Sequence, residues 1–479
     1  MENLLSKFRN EMIKLSEIDM EEDSCYKDNP IYDFIDNVSS IREEEESSII
    51  ARFIKCINYN HKDALKLLIF IRDKYNGLGE KRIFKILLRY LANTNPDFII
   101  ENLSLIPKYG RYDDLYALFN TSLQKDVIEL FSEQISLDVK AEKPSNLGKW
   151  LKSENASSEE TKKLALETRL GLGYSSKEYR KLLSFLRERI GVFEKNLSLK
   201  RYNNLNYQNL SSRKIIKYKS LFLKEDPIYF KEYLDSGNFE VKDLLPIIIE
   251  LSNRERISKK EIDLNIKLVN KYLESIKNYS KKETLVVNGI NEGNKFKKHF
   301  NIFIMMTLLY KNLNSSRFKN YFIYFREYPK FKKIIGGDFL EDIEIIKSCN
   351  NSKEGKIYEA LDLLLFTILR KNINVDDIPD TILYINNSYE KLNHNSLEQK
   401  AKKINEYLEK TWNNVSKKPS IRIMNLNNEK FKLVKEGNVT FINGFKSKYL
   451  KNIIEDIEID EIEEIREKFN KITYEIEFV

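Results

Sequence analysis

Between Lys181 and Ser220 the chain sets ten cations against two carboxylates, a local net charge of +8. The cations are Lys181, Arg187, Arg189, Lys195, Lys200, Arg201, Arg213, Lys214, Lys217 and Lys219, with Phe185, Phe193, Tyr202, Tyr207 and Tyr218 interleaved among them. Clustered Lys and Arg neutralise phosphates, and unstacked bases lie on exposed rings, so this mixture of residue types suits RNA. The candidate RNA contacts are Arg187, Arg189, Lys195, Lys200, Arg201, Tyr202, Arg213, Lys214, Lys217, Tyr218 and Lys219. Phe185 and Phe193 fall among Leu182, Leu186 and Ile190 and are expected in the core. An ordinary charged helix face and a protein-docking patch remain the two other readings of this window.

Residue types suited to bond-making chemistry are scattered. The three cysteines, Cys25, Cys56 and Cys349, form no close pair, and His61, His299 and His394 form no cluster with them. Disulfide frameworks, zinc ribbons and transition-metal sites are therefore not expected. The carboxylate pairs Asp113-Asp114 and Asp376-Asp377 lie at helix starts or in loops, where capping is the usual role. Gly77-Leu78-Gly79-Glu80-Lys81 lacks the Gly-Lys-Ser/Thr ending of a phosphate loop and follows no strand. It is expected to end one helix and open the next, with Arg82 and Lys85 facing solvent. Trp150 is expected to anchor a polar turn that starts at Asn146. No catalytic group and no cofactor are assigned, and a non-enzymatic protein is expected.

The elements that must position these residues follow from composition and pattern. The chain has 479 residues, 42% of them hydrophobic and 32% charged, which excludes a disordered polymer and predicts two to three domains. Only 15 glycines and 9 prolines favour helices. Residues 1–50 carry 5 basic and 14 acidic side chains, so the rest of the chain carries +17. The first twenty residues lack the apolar core of a signal peptide, and no apolar run is long enough to span a bilayer. A cytoplasmic location with no membrane partner is expected.

From about residue 48 to 280, apolar residues recur at three- and four-residue steps, as in Ile49, Ile50, Phe53, Ile54 and Ile57. Short breaks such as Asn76-Gly77 and Asn95-Pro96 separate the segments, which predicts an irregular α-solenoid. The pattern changes near residue 282. Strands are predicted at Thr284–Val287, Tyr321–Phe325, Asp380–Ile385 and Ser420–Asn425, alternating with helices. That order predicts a parallel sheet covered on both faces. The expected domains are an acidic segment (1–47), a helical domain (48–280) and an α/β domain (281–479) with an acidic C-terminal helix. The acidic helix is read as a solvated face, with nucleic-acid mimicry as the other reading.

Four segments in one order carry a resemblance: Arg72-Asp73 with Gly77–Arg82; Ile106–Leu115 (IPKYGRYDDL); Asn146–Leu151 (NLGKWL); and Leu172–Arg180 (LGYSSKEYR). Together they resemble the domain of unknown function 2828 family of bacteria, phages and large viruses, and Asn443-Gly444-Phe445 extends the match. That family in turn is similar to the Ro ribonucleoprotein architecture, a ring of helical TROVE repeats with a von Willebrand A domain. The resemblance implies a mainly α fold with a TROVE-like module and an A-like α/β domain. It also implies binding of structured or non-coding RNA, with a protein partner at the A-like domain as the alternative function.

A domains usually hold Mg²⁺ with an Asp-x-Ser-x-Ser loop after the first strand. Here those positions hold Asn288, Ile290 and Glu292, and Asn386 follows the third strand. Magnesium requires hard oxygen ligands, ideally carboxylates and hydroxyls. The resemblance therefore implies a degenerate, metal-free site, unless Glu292 and Glu354 rebuild it.

Overall fold

Several helices of the first half start where a short polar side chain replaces a missing backbone partner. Asn29 accepts the Ile31 N–H ahead of helix Pro30–Ile41, and Asn60 does the same for Asp63 in helix His61–Arg72. Asn95 caps helix Pro96–Glu101 with proline in its first turn. Ser175 and Glu178 form a reciprocal capping box at helix Ser176–Arg189. These caps satisfy N–H groups that would otherwise be orphaned. The apolar stripes then bury one face of each helix, including Phe34, Phe53, Phe70, Phe84, Leu87 and Phe131.

The computed structural model describes residues 29–191, 193–202, 205, 207, 210, 212–235, 244–277, 279, 282–290, 297–349, 351, 355–388, 394–427 and 431–477. The chain is mostly helical and divides into two compact units. The first comprises residues 1–204 and 462–479, and the second residues 205–461. The sequence pattern alone places the change at 280/281. Within the first unit, the C-terminal segment packs on the helices. Phe469 meets the Phe70 ring at 5.3 Å, and Asn102 exchanges two hydrogen bonds with the Glu477 backbone.

The second unit holds helices Ser212–Glu225, Pro227–Asp235, Leu244–Ser252 and Lys259–Ser275, followed by an eight-stranded sheet. Its strands are β1 (Thr284–Asn288), β2 (Tyr321–Phe325), β3 (Pro329–Lys333), β4 (Thr381–Asn386), β5 (Ser420–Asn425), β6 (Lys432–Glu436), β7 (Val439–Asn443) and β8 (Ile459–Asp460). The order is β3-β2-β1-β4-β5-β7-β6-β8. The four predicted strands pair in parallel at the centre, together with β7. The sheet as a whole is mixed rather than parallel, because β3, β6 and β8 pair antiparallel. Burial separates the strands that the sequence pattern caught from the edge strand β3 that it missed. β1 and β4 are buried along their whole length and read as apolar runs. β3 is a lysine-rich edge that starts at Pro329, where a missing N–H and repelling charges block further pairing.

The acidic tail also differs from a single solvated helix. Glu461 is buried and accepts from Lys446 Nζ at 2.5 Å and from the Phe431 N–H at 3.1 Å. Among the described residues, no helix is long and apolar enough to cross a membrane.

Candidate functional site

The basic window is divided between the two units, with residues 181–204 in the first and 205–220 in the second. Several of its cations serve the fold. Arg187 donates from Nε to Gly148 O at 3.0 Å and from Nη2 to Leu151 O at 2.9 Å. Burial pushes its guanidinium below its ordinary pKa. Arg189 donates to the carbonyls of Asp138, Val139 and Ala141, closing the end of helix Gln124–Lys140. Lys219 is buried against the Glu250 carboxylate. Arg201 pairs with Glu188 at 2.8 Å on the exposed surface. Lys200 and Lys217 are exposed, Lys214 and Tyr202 half-buried. Lys217 Nζ lies 5.1 Å from the centre of the half-buried Tyr218 ring. The side chains of Lys195 and Arg213 lie outside the described residues.

The rings sort differently from expectation at one position. Phe193 and Tyr207 are core, Tyr207 donating to Asp226 at 2.8 Å, but Phe185 is exposed beneath Arg189.

The four motif segments meet around the Asp113-Asp114 pair. Asp114 is buried and accepts from Arg72 Nε at 2.7 Å and from the Arg111 N–H at 2.8 Å. Asp113 is also buried, yet three lysines reach it. Lys81 Nζ lies 2.8 Å and Lys85 Nζ 3.2 Å from Oδ2, and Lys152 Nζ contacts Oδ1. Burial alone would raise the Asp113 carboxyl. Hydrogen bonds from Lys152 and Lys81, with the charge of Lys85, outweigh it and hold the group well below the carboxylate range. Burial lowers the Lys85 pKa, against the pull of Asp113.

Around this centre the remaining motif residues act as fasteners. Tyr179 donates to Lys152 O at 2.9 Å, and Lys74 donates to Gly110 O at 2.7 Å. Arg111 stacks 4.8 Å above the Trp150 ring, with Lys149 at 5.4 Å. Lys74 lies 4.7 Å from the Tyr75 ring, which is 75% exposed. Asp113 and Asp114 thus do more than cap, and Lys85 turns inward rather than facing solvent. The two adjacent carboxylates were visible in the sequence, but their cationic partners Arg72, Lys81, Lys85 and Lys152 come from distant positions.

Residues 145–241 match the family model described as domain of unknown function (DUF2828). That stretch contains the Asn146–Leu151 and Leu172–Arg180 segments and the basic window. An uncharacterized protein of Acanthamoeba polyphaga mimivirus is 21% identical over 394 residues, covering 71% of this chain and 67% of the viral one.

In the sheet, β1 lies between β2 and β4, where the strand order reverses. Asn288 accepts the Ile290 N–H at 3.1 Å, and Asn351 donates to Asn288 O and Ile290 O at 2.7 and 3.0 Å. Ile290 is buried and brings no ligand atom in its side chain. Asn386 faces Asn425 across β4 and β5. Glu292 and Glu354 lie outside the described residues. Among the described residues, no group of three His, Cys, Asp or Glu side chains is placed to hold a metal ion.

Proposed function

We propose that this chain is a non-enzymatic RNA-binding protein of Ro-like type, whose helical unit resembles a TROVE module and whose sheet unit resembles a metal-free von Willebrand A domain. The observation that carries this reading is the pairing of cations with aromatic rings on the first unit: Arg111 and Lys149 with Trp150, and Lys74 with Tyr75. Such pairs present a flat face for a base and a charge for its phosphate. Lys200 and Lys217 add exposed charge. Capture is electrostatic, with stacking and shape and little base-specific readout. Structured or non-coding RNA is the ligand class.

The test is binding of a labelled non-coding RNA to the full chain across a salt series, followed by fluorescence anisotropy. Affinity should fall steeply between about 50 and 200 mM salt, because each neutralised phosphate releases counterions. Binding that does not change with salt, or no binding at low salt, would refute the reading. Nucleic acid co-purifying with the protein, removed by ribonuclease and seen as a fall in the ultraviolet absorbance ratio, would support it.

One observation favours the alternative of a protein-interaction scaffold. Helix Ile357–Lys371 of the sheet unit leaves Phe366 and Leu369 exposed one turn apart. A clean protein spectrum with a stoichiometric protein partner, lost in Phe366→Ser, would select it.

A further inference from the structure

We propose that Lys81, Lys85 and Lys152, gathered on the Asp113 carboxylate, form a phosphate-binding site; on the RNA reading above, which this inference deepens, its ligand is the RNA backbone. The argument begins with two adjacent carboxylates in opposite situations. Asp114 has one cationic partner, Arg72, and both side chains are buried, so that pair is neutral. Asp113 has three cationic partners, so among the described residues the cluster keeps two uncompensated positive charges. A structural ion pair requires one lysine. Three ammonium groups on one carboxylate repel one another, and this arrangement is costly unless a further anion enters.

Access also differs between the two sites. The Arg72 side chain is 4% exposed, whereas those of Lys81, Lys85 and Lys152 are 50%, 23% and 21% exposed. Each ammonium carries three donors, and Asp113 cannot take them all. The unused donors of Lys81 in particular are open to solvent, where phosphate oxygens can replace water. Asp113 then acts as the post that holds the ammonium groups together, and the phosphate is the anion they lack.

The surroundings agree with this assignment. Lys81 is the N-cap residue of helix Arg82–Thr94, which has no acidic residue in its first turn. Seven other helices of the unit carry one there: Asp33, Glu46, Asp63, Asp97, Asp126, Glu159 and Glu178. The positive end of this helix dipole therefore adds to the field of the lysines, apart from the Glu80 carboxylate that accepts the Arg82 N–H. The cation-stacked Trp150 stands two residues before Lys152, and Arg111 two residues before Asp113. These two segments thus carry the ring, the Asp113 carboxylate and one of the three lysines, which fits a nucleotide with its base on the ring.

The test uses the full chain with a labelled single-stranded RNA, and separately with inorganic phosphate and pyrophosphate as stabilising ligands in thermal melts. The variants are Lys81→Gln, Lys81→Gln with Lys152→Gln, and Asp113→Asn, with Lys125→Gln and Lys163→Gln as exposed controls. The double variant should lower the salt slope of RNA binding by about 1.4, at about 0.7 per lost single-strand contact, while the controls leave it unchanged. Asp113→Asn leaves three ammonium groups with no anion, so pyrophosphate should raise its melting temperature more than that of the wild type. That readout remains informative even if the double variant folds poorly, and a purely structural cluster would give no phosphate rescue.

RNA binding with an unchanged slope in a folded double variant, together with no phosphate rescue of Asp113→Asn, overturns the site and leaves the RNA reading standing. No RNA binding by the wild type, but a Lys81-dependent pyrophosphate shift, overturns the RNA reading and leaves the site standing with a free phosphate compound as its ligand.

Discussion

Arg72 Nε lies 2.7 Å from Asp114 Oδ2 with both side chains buried, and the same oxygen receives the Arg111 N–H at 2.8 Å. The pair joins the end of helix His61–Arg72 to the corner at Gly110-Arg111. Replacing Arg72 with Met would leave a buried carboxylate uncompensated, and loss of one partner from such a pair costs about 3–5 kcal/mol. Urea unfolding of Arg72→Met should show a loss of that size. A loss of under about 1 kcal/mol would mean that the pair is screened like an exposed one.

Gly110 is the hinge of the same corner. A Cβ there would stand 2.7 Å from Asp114 Oδ2, 2.8 Å from Ile106 O and 3.0 Å from Arg72 Cγ. The Ile106 carbonyl is backbone of the preceding helix and cannot swing away. Gly110→Ala should therefore cost about 1–3 kcal/mol, the range for overpacked sites. Thermal melts read this directly, and an unchanged melting temperature would show that the corner can shift.

Acid should act on this unit through Asp113. Its folded pKa is depressed, so its contribution to stability is fully present above the unfolded value of about 3.9 and is lost as pH falls toward the folded value. The melting temperature of the wild type should fall more steeply below about pH 4 than that of Asp113→Asn, which has nothing to titrate there. Parallel curves for the two proteins would mean that other carboxylates dominate the acid limb.

Helices, the central strands and the change of pattern near residue 282 were legible because periodicity reports burial, and burial decides these elements. Thr284–Asn288 and Thr381–Asn386 are apolar runs of the right length for central strands. The lysine-rich Pro329–Lys333 is a strand because β2 supplies a partner, which local pattern cannot reveal. The site was legible only as charge. Counting cations between Lys181 and Ser220 cannot tell Lys217, which is exposed, from Lys219, which is buried on Glu250. Nor can it find the Asp113 cluster, whose lysines come from positions 81, 85 and 152 and meet only through tertiary packing.

That distinction between neighbours is measurable. Lys219→Ala would leave Glu250 without its ammonium partner, with Asn265 still donating at 3.0 Å. A single neutral donor does not replace a buried charge. Lys219→Ala should lower the melting temperature of the protein, and Lys217→Ala should not. In RNA titrations, Lys217→Ala should reduce the salt slope by about 0.7 with the fold intact. A stable Lys219→Ala that binds RNA more weakly would instead make Lys219 a ligand contact.

Magnesium should leave the second unit unchanged. A ligand that binds only the native state raises its stability by mass action, so an occupied site would appear as a saturable rise in melting temperature. Asn288 Oδ1 already accepts the Ile290 N–H, and Asn288 O is taken by Asn351. The remaining polar atom of the side chain, Nδ2, is a buried donor without a partner among the described residues and repels a cation. Asn386 offers at best a neutral carbonyl oxygen, a weak ligand for an ion that holds its water tightly. Low-millimolar Mg²⁺ should therefore shift the melting temperature no more than an ionic-strength control does. A saturable shift that disappears in Glu292→Gln would show that this end of the sheet has rebuilt a cation site from a residue outside its strands.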